Sequence, residues 1–516
     1  MSTKQIEILA ILICYMLVNV GVGIWSSRSS ARKQGGSFLD EYFAGGRSMG
    51  GLVLAMTLVA TYTSASSFLG GPGLAASFGL TQSWIAAIQI GTAFLTLGVL
   101  GKKLGMIARR IDAVTISDYL RARYQSAAVV IVCSVAMVVF FITQMIAQFI
   151  GGATLLQTVT GVPYWAALLI FAAVVILYTA VGGFRAVVLT DTVQGIIMTI
   201  GTFLLIFFVI RAGGGFSHLV EKTSQMNPGW DLIGKGKYGK DVIALQPGYG
   251  ISFWILVGLA VIGLPQTAVR SMSFKDTKSM HRAMIYGTVV VGILMIGMHF
   301  IGAFTGPLIS NGAVKSTDAV IPYIVLHYLP TWAGGLFLAA PLAAVMSTVD
   351  SLLILASATL IKDIYVNYIR KEKKEAEEIS NSVEQEIAEA KAASMTKKVK
   401  NYSFLTTAVL GVIVFLLALN PPSILVWINL FAMGGLETTF FWPLVGGLYW
   451  KKGNAKCCIA SILIGLAVFL FFNQVKIAPF HIHEIVFGLI AGGLAYFITG
   501  KITNTEPSPE VLRNCF

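Results

Sequence analysis

LAMTLVATYTSASSFLGGPG, residues 54–73, begins as an apolar run fit to cross a bilayer and then fills with serine, threonine and glycine. Hydrocarbon offers no water to backbone N–H and C=O groups, so a spanning segment is expected to keep its helix intact. A run carrying Thr57, Thr61, Thr63, Ser64, Ser66, Ser67, Gly70, Gly71 and Pro72 predicts instead a helix broken near the midplane. Carbonyls freed at such a break must bind something, because lipid cannot satisfy them.

The rest of the chain supports a membrane setting. Its 516 residues are 56% hydrophobic and 12% charged, against about 25% charged residues in soluble domains. Runs long enough to span recur near 6–26, 50–71, 82–101, 126–157, 163–181, 187–210, 249–269, 283–309, 333–361, 403–420, 423–449, 456–474 and 480–499. They predict an all-α integral membrane protein of about 13 transmembrane helices, numbered here as spans 1 to 13. An odd number puts the termini on opposite sides. With the N-terminus outside and the C-terminus cytoplasmic, inner segments hold 29 of the 37 Lys and Arg residues, as positive-inside bias requires. The net charge of +13 then follows from topology and anionic lipid, and a nucleic-acid surface is not called for. The first run is long and lacks a basic n-region of weight, so it reads as a retained helix rather than a signal peptide. Cys14, Cys133, Cys457, Cys458 and Cys515 are scattered and suggest no extracellular disulfide framework.

Span 7, in GLAVIGLPQTAVR, carries Gly258, Gly263 and Pro265 and so repeats the broken character of span 2 five spans later. Corresponding interruptions in two halves point to inverted repeats with a binding site at their interface. The chain then divides into residues 1–49 (span 1 and a cytoplasmic loop), 50–211 (spans 2–6), 212–248 (an outer loop), 249–450 (spans 7–11) and 451–516 (spans 12, 13 and tail). The insert 366–402, VNYIRKEKKEAEEISNSVEQEIAEAKAASMTKKVKNY, alternates charges with high helix propensity and reads as a solvated helical extension of span 9.

Chemistry is expected where polar groups meet the breaks. A small hard cation wants several oxygens. Unwound carbonyls of span 2 supply some, and the hydroxyls Ser347, Thr348 and Ser351 of span 9, in AAVMSTVDSLL, supply more. For a solute, the polar residues near the breaks are Tyr62, Ser64, Ser67, Gln89 and Gln266, with Gln144 and Gln148 an i,i+4 pair in span 4. Taken singly, each of these more often packs helices; together they outline a pocket of neutral donors with few fixed charges. Ionisable groups within spans are costly and usually functional. Asp350 either tunes the cation site or pairs with a base, and Glu437 either accepts from solute hydroxyls or locks span 11 to a neighbour. His481 and His483 lack partners at metal spacing. No nucleophile with a nearby base and no His/Cys/acid cluster suggests an enzyme.

EYFAGGRSMGGLVLAM, TAVGGFRAVVLTDTVQG, GLPQTAVRSMSFKD and AAVMSTVDSLL together resemble the sodium:solute symporters, over nearly all of residues 5–500. The resemblance implies a LeuT-type fold of two inverted five-helix repeats, alternating access, sodium as the coupling ion and a plasma (bacterial inner) membrane location. Carried over residue by residue, it assigns sodium to the carbonyls of Ala60, Thr63 and Ala344 and the hydroxyls of Ser347 and Thr348. It marks Asp191 and Ser351 for a possible second sodium. Expected partners are sodium, a small organic anion and lipid, with no obligate protein partner. The rival readings are the same fold with another carboxylate, amino acid or sugar as cargo, and a solute-sensing receptor.

Overall fold

The computed structural model describes residues 2–30, 48–232, 246–310, 312–314, 316–369, 382–420, 425–475 and 479–516. They are helical almost throughout; the exception is an isolated bridge between Met49 and Phe274. Among the described residues nine helices are long and apolar enough to cross a membrane, ten if one bent pair is a single span. That is fewer than the thirteen runs. Spans 5 and 6 fall within one helical stretch, Tyr164–Ala212, span 7 is too broken to qualify as one helix, and the helix Leu425–Tyr449 lies outside the group.

Spans 5 and 6 are separated by Gly183, whose φ of 64° and ψ of −172° interrupt the helix. Only glycine enters that region freely, so the chain can reverse there. The charged insert is described in two parts. Residues 366–369 continue span 9 in a wide π-helical segment, Thr359–Ile369, and the part from Ser382 onward belongs to the helix Ser382–Ala418, continuous with span 10. Residues 370–381 of the insert lie outside the described residues.

The breaks fall where the sequence weakens the helix. In span 2, Gly51–Tyr62 stops at Thr63, which is extended (φ −73°, ψ 131°). A π turn, Ser66–Gly70, and the helix Gly71–Phe78 follow, and the two halves meet at 73°. In span 7, Pro247–Trp254 loosens through a π turn (Ile255–Leu259) and a 3-10 turn (Ala260–Gly263) to an extended Leu264, and Pro265 opens the short helix to Arg270. Proline has no N–H to continue the preceding helix but fits the first turn of the next. Gly263 is needed for contact, since a Cβ there would lie 2.9 Å from the backbone of Phe441 in span 11.

Span 9, Thr331–Tyr368, is buried over its whole apolar window and packs against spans 1, 2, 4, 6 and 10. It is the axis on which the first repeat closes. At one end of the bundle the short helices Thr317–Ala319 and Val320–Tyr328 lie over the second half of span 2. The contact depends on Gly73, where a Cβ would sit 1.9 Å from the carbonyl oxygen of Thr317. Gly73→Ala is therefore expected to lift this cover and cost about 1–3 kcal/mol of stability, the range of an overpacked site, measurable as a lowered Tm in detergent. An unchanged Tm and an unchanged cover would refute the contact.

Candidate sodium and solute sites

The break in span 2 leaves the carbonyls of Ala60 and Thr63 without helical donors, and span 9 answers both. Ser347 Oγ donates to the Ala60 carbonyl at 2.8 Å and Thr348 Oγ1 to the Thr63 carbonyl at 2.9 Å. The same two hydroxyls also lie 3.1 and 2.9 Å from the carbonyl of Ala344. The five oxygens expected to hold sodium thus meet in one buried place, at residues all but closed to solvent. Five neutral oxygens suit a small hard univalent cation, which needs many donors and little countercharge. Each hydroxyl would turn its lone pair toward the ion when one is bound. The fit is one of donor chemistry: no thiolate, imidazole or carboxylate belongs to this set.

A second cluster lies one turn further along span 9. Asp191 and Ser351, expected to share a second sodium, are brought together, but through a fixed cation. Arg270 Nη2 lies 3.1 Å from Asp191 Oδ2 and 2.7 Å from Ser351 Oγ. Its Nε donates to Thr57 Oγ1 at 3.0 Å, Thr57 donates to Asp191 Oδ2 at 2.6 Å, and Nη1 donates to the Gln266 carbonyl at 3.0 Å. In sequence Arg270 reads as an inner-face topology charge and helix-end partner; it does bond the Gln266 carbonyl of its own helix, but the structure buries it completely, its guanidinium 5.5 Å from the Phe184 ring centroid. The break in span 7 explains this, because a short helix starting at Pro265 turns Arg270 back into the bundle. Asp350 accepts from Tyr178 Oη at 2.8 Å and from Ser351 at 3.3 Å, and forms no direct ion pair among the described residues.

Next to the breaks lies a cavity lined by Tyr62, Ser64, Ser66, Ser67, Gly71, Gln82 and Gln89, by His299 and Asn429, and by an apolar wall that includes Ile85, Phe253, Val257 and Leu430. Four residues expected to face solute, Tyr62, Ser64, Ser67 and Gln89, do line it. Tyr62 Oη donates to the Val257 carbonyl at 2.6 Å, pinning the break of span 2 to that of span 7. Three others stand behind it. Gln148 Oε1 accepts from the freed N–H of Ala65 at 2.9 Å, while its Nε2 donates to Asn429 Oδ1 at 3.1 Å. Gln266 reaches Gln144 at 3.4 Å. Glu437 is fully buried away from the cavity wall, and neither carboxyl oxygen has a hydrogen-bond partner among the described residues. Sequence reasoning missed Ser66, Gln82, His299 and Asn429. The last two are isolated polar residues in apolar spans, and that isolation was the available signal.

A broken helix whose freed carbonyls face the hydroxyls of an enclosed helix, beside a polar cavity at the same depth, defines an ion-coupled secondary transporter. The model of the sodium:solute symporter family matches residues 42–387 and 385–465, and the chain belongs to that family. It is 44% identical to the sodium/pantothenate symporter of Escherichia coli (strain K12), over 98% of this chain and 99% of that protein. It is 42% identical to the sodium/pantothenate symporter of Haemophilus influenzae, over 95% of each chain. A solved sodium-coupled sialic acid symporter, in a substrate-bound outward-open state, superposes with a TM-score of 0.74 at 20% identity, covering 97% of this chain and 99% of its own. That likeness shows the fold, and the LeuT-type arrangement implied by the sequence is the one observed.

Proposed function

We propose that the protein imports pantothenate together with sodium by alternating access, with its N-terminus outside and its C-terminus in the cytoplasm of a bacterial cell. The observation that carries this reading is the meeting of Ala60, Thr63, Ala344, Ser347 and Thr348 in one buried oxygen cage, in a chain alike from end to end to two sodium/pantothenate symporters. Pantothenate offers two hydroxyls, an amide and a carboxylate, and the cavity wall offers hydroxyls, amides and an imidazole, with no Lys, Arg, Asp or Glu among its described residues. Its carboxylate is balanced by the sodium next door.

Sodium in the cage holds the break of span 2 against span 9, which orders Tyr62 and Ser64 and so completes the cavity. By linkage, pantothenate raises sodium affinity by the same factor. At the other end of span 9, Lys362 pairs with Asp118, and Thr115 donates to Asp363 at 2.7 Å. This clasp closes the cytoplasmic side and must part when the cargo is released.

The position of Arg270 supports a single sodium. Asp191 and Ser351 already hold its guanidinium, so a fixed charge stands where a second ion would. One sodium with a univalent anion moves no net charge. A membrane potential, worth about 2.3 kcal/mol per charge at 100 mV, then contributes nothing. A tenfold sodium gradient contributes about 1.4 kcal/mol, enough for roughly tenfold accumulation. Uptake of labelled pantothenate into proteoliposomes is expected to require inward sodium, to rise hyperbolically with sodium concentration and to ignore a potassium diffusion potential. A sigmoidal sodium dependence with a potential-driven rate would sink the single-ion reading. No sodium-dependent uptake at all would sink the cargo.

A further inference from the structure

His299 is a cavity residue whose free hydrogen-bonding capacity is dictated by the backbone. It lies in the helix Thr277–Gly302 (span 8), 4% exposed, with Nδ1 2.8 Å from the carbonyl of Met295 one turn earlier. A carbonyl only accepts, so the proton of a neutral ring belongs on Nδ1, and Nε2 carries a bare lone pair. Nε2 is aimed at the break of span 2. A Cβ on Gly71 would lie 2.1 Å from it, so this glycine makes room for the imidazole against the unwound segment.

No described residue uses that lone pair. Among the described residues Nε2 makes no hydrogen bond. Ser66 Oγ, on the same stretch of cavity wall, is buried and also without a partner. The remaining polar lining is partly committed: Tyr62 Oη to the Val257 carbonyl, Asn429 Oδ1 to Gln148. Among the described residues no charged side chain lines the cavity, so an imidazolium here would be an uncompensated buried charge and the neutral ring is the form that fits. A neutral nitrogen acceptor repels a carboxylate and calls for an O–H or N–H donor from the ligand.

We infer that His299 Nε2 accepts a hydrogen bond from a hydroxyl at the dihydroxyacyl end of the substrate, with Ser66 beside it, and so fixes which way round the substrate lies. The carboxylate end then points to the Tyr62 and Ser64 side, which flanks the sodium cage at Thr63. His299 is thus a specificity-determining residue for hydroxylated acids. The assignment rests on the reading of pantothenate as cargo.

The test compares sodium-driven uptake of pantothenate and of its two monodeoxy analogues, each lacking one hydroxyl, by wild type, His299→Phe and His299→Gln. Wild type is expected to disfavour at least one analogue by about tenfold in KM, the worth of one buried hydrogen bond whose partner is left unpaired. His299→Phe, which keeps a ring but has no acceptor, should bring that ratio to within about twofold of one, and His299→Gln, whose amide oxygen accepts, should restore part of it. A residue that merely shapes the helix would raise KM for all three compounds together and leave the ratio unchanged, which overturns the inference while pantothenate transport stands. Wild type that does not distinguish the three compounds overturns it without reference to any variant. Wild type that carries none of the three overturns the cargo and this assignment with it.

Discussion

Ser347→Ala combined with Thr348→Ala is expected to abolish sodium-driven uptake at ordinary sodium concentrations. The two hydroxyls supply two of five oxygens in the cage and are the groups that tie span 9 to the carbonyls of Ala60 and Thr63. Hydrogen bonds and dipoles directed at a charge are each worth about 1.5–3 kcal/mol, so losing both should raise the half-saturating sodium concentration by at least about a hundredfold. The substitutions also leave two buried carbonyls without donors, which destabilises the break itself. The exchange Ser347→Thr with Thr348→Ser keeps both hydroxyls and should hold sodium affinity within about tenfold of wild type, roughly 1.4 kcal/mol. Sodium-concentration curves for uptake, read beside the Tm of the purified protein, separate a lost ligand from a lost fold. A double alanine variant with an unshifted sodium curve would remove these residues from the site.

Arg270→Gln should be the most damaging single change to the folded protein. The guanidinium reaches Thr57, Asp191, Gln266 and Ser351, so it joins span 7 to spans 2, 6 and 9 at once. Removing one partner of a buried ion pair costs about 3–5 kcal/mol, because the other charge is stranded. Here Asp191 would be stranded, with its Oδ1 already lacking a partner among the described residues, and Asp350 stands nearby as a second carboxyl. Folded yield and Tm should both fall, and adding Asp191→Asn should recover part of the loss, since a neutral amide needs no countercharge. A single variant as stable as wild type, or a double variant worse than the single one, would show that the network is not an ion-paired lock.

Both results bear on what could be read from the chain alone. The break of span 2 was legible because hydroxyls and glycines crowd one place in a run that is otherwise apolar, and that of span 7 because Gly263-Leu264-Pro265 cannot continue a helix. The proposed sodium ligands came through resemblance, since spacing alone makes Ser347 and Thr348 no different from packing residues. Arg270 was misread for a physical reason. Hydropathy places it at the end of a span, where an arginine usually meets water, and only the turn at Pro265 carries it inward. Gln148 was recognised as a polar group near the breaks, but its partner is the N–H of Ala65, freed 83 residues earlier in the chain. No local pattern encodes that distance. His299 and Asn429 are single polar residues on helices from different parts of the chain, and only folding brings them to one cavity.

The enclosure of span 9 also bears on how the molecule is made. Its window is apolar enough to enter the bilayer, yet it carries Ser347, Thr348, Asp350 and Ser351, which lipid would not tolerate for long. The helices that bury it, spans 1, 2, 4 and 6, all precede it in the chain, and of its main neighbours only span 10 follows. By the order of the chain, therefore, the unwound carbonyls of span 2 and most of the surface that encloses span 9 are made before span 9 itself. The proposed ion site would then be completed by the last helix to reach it.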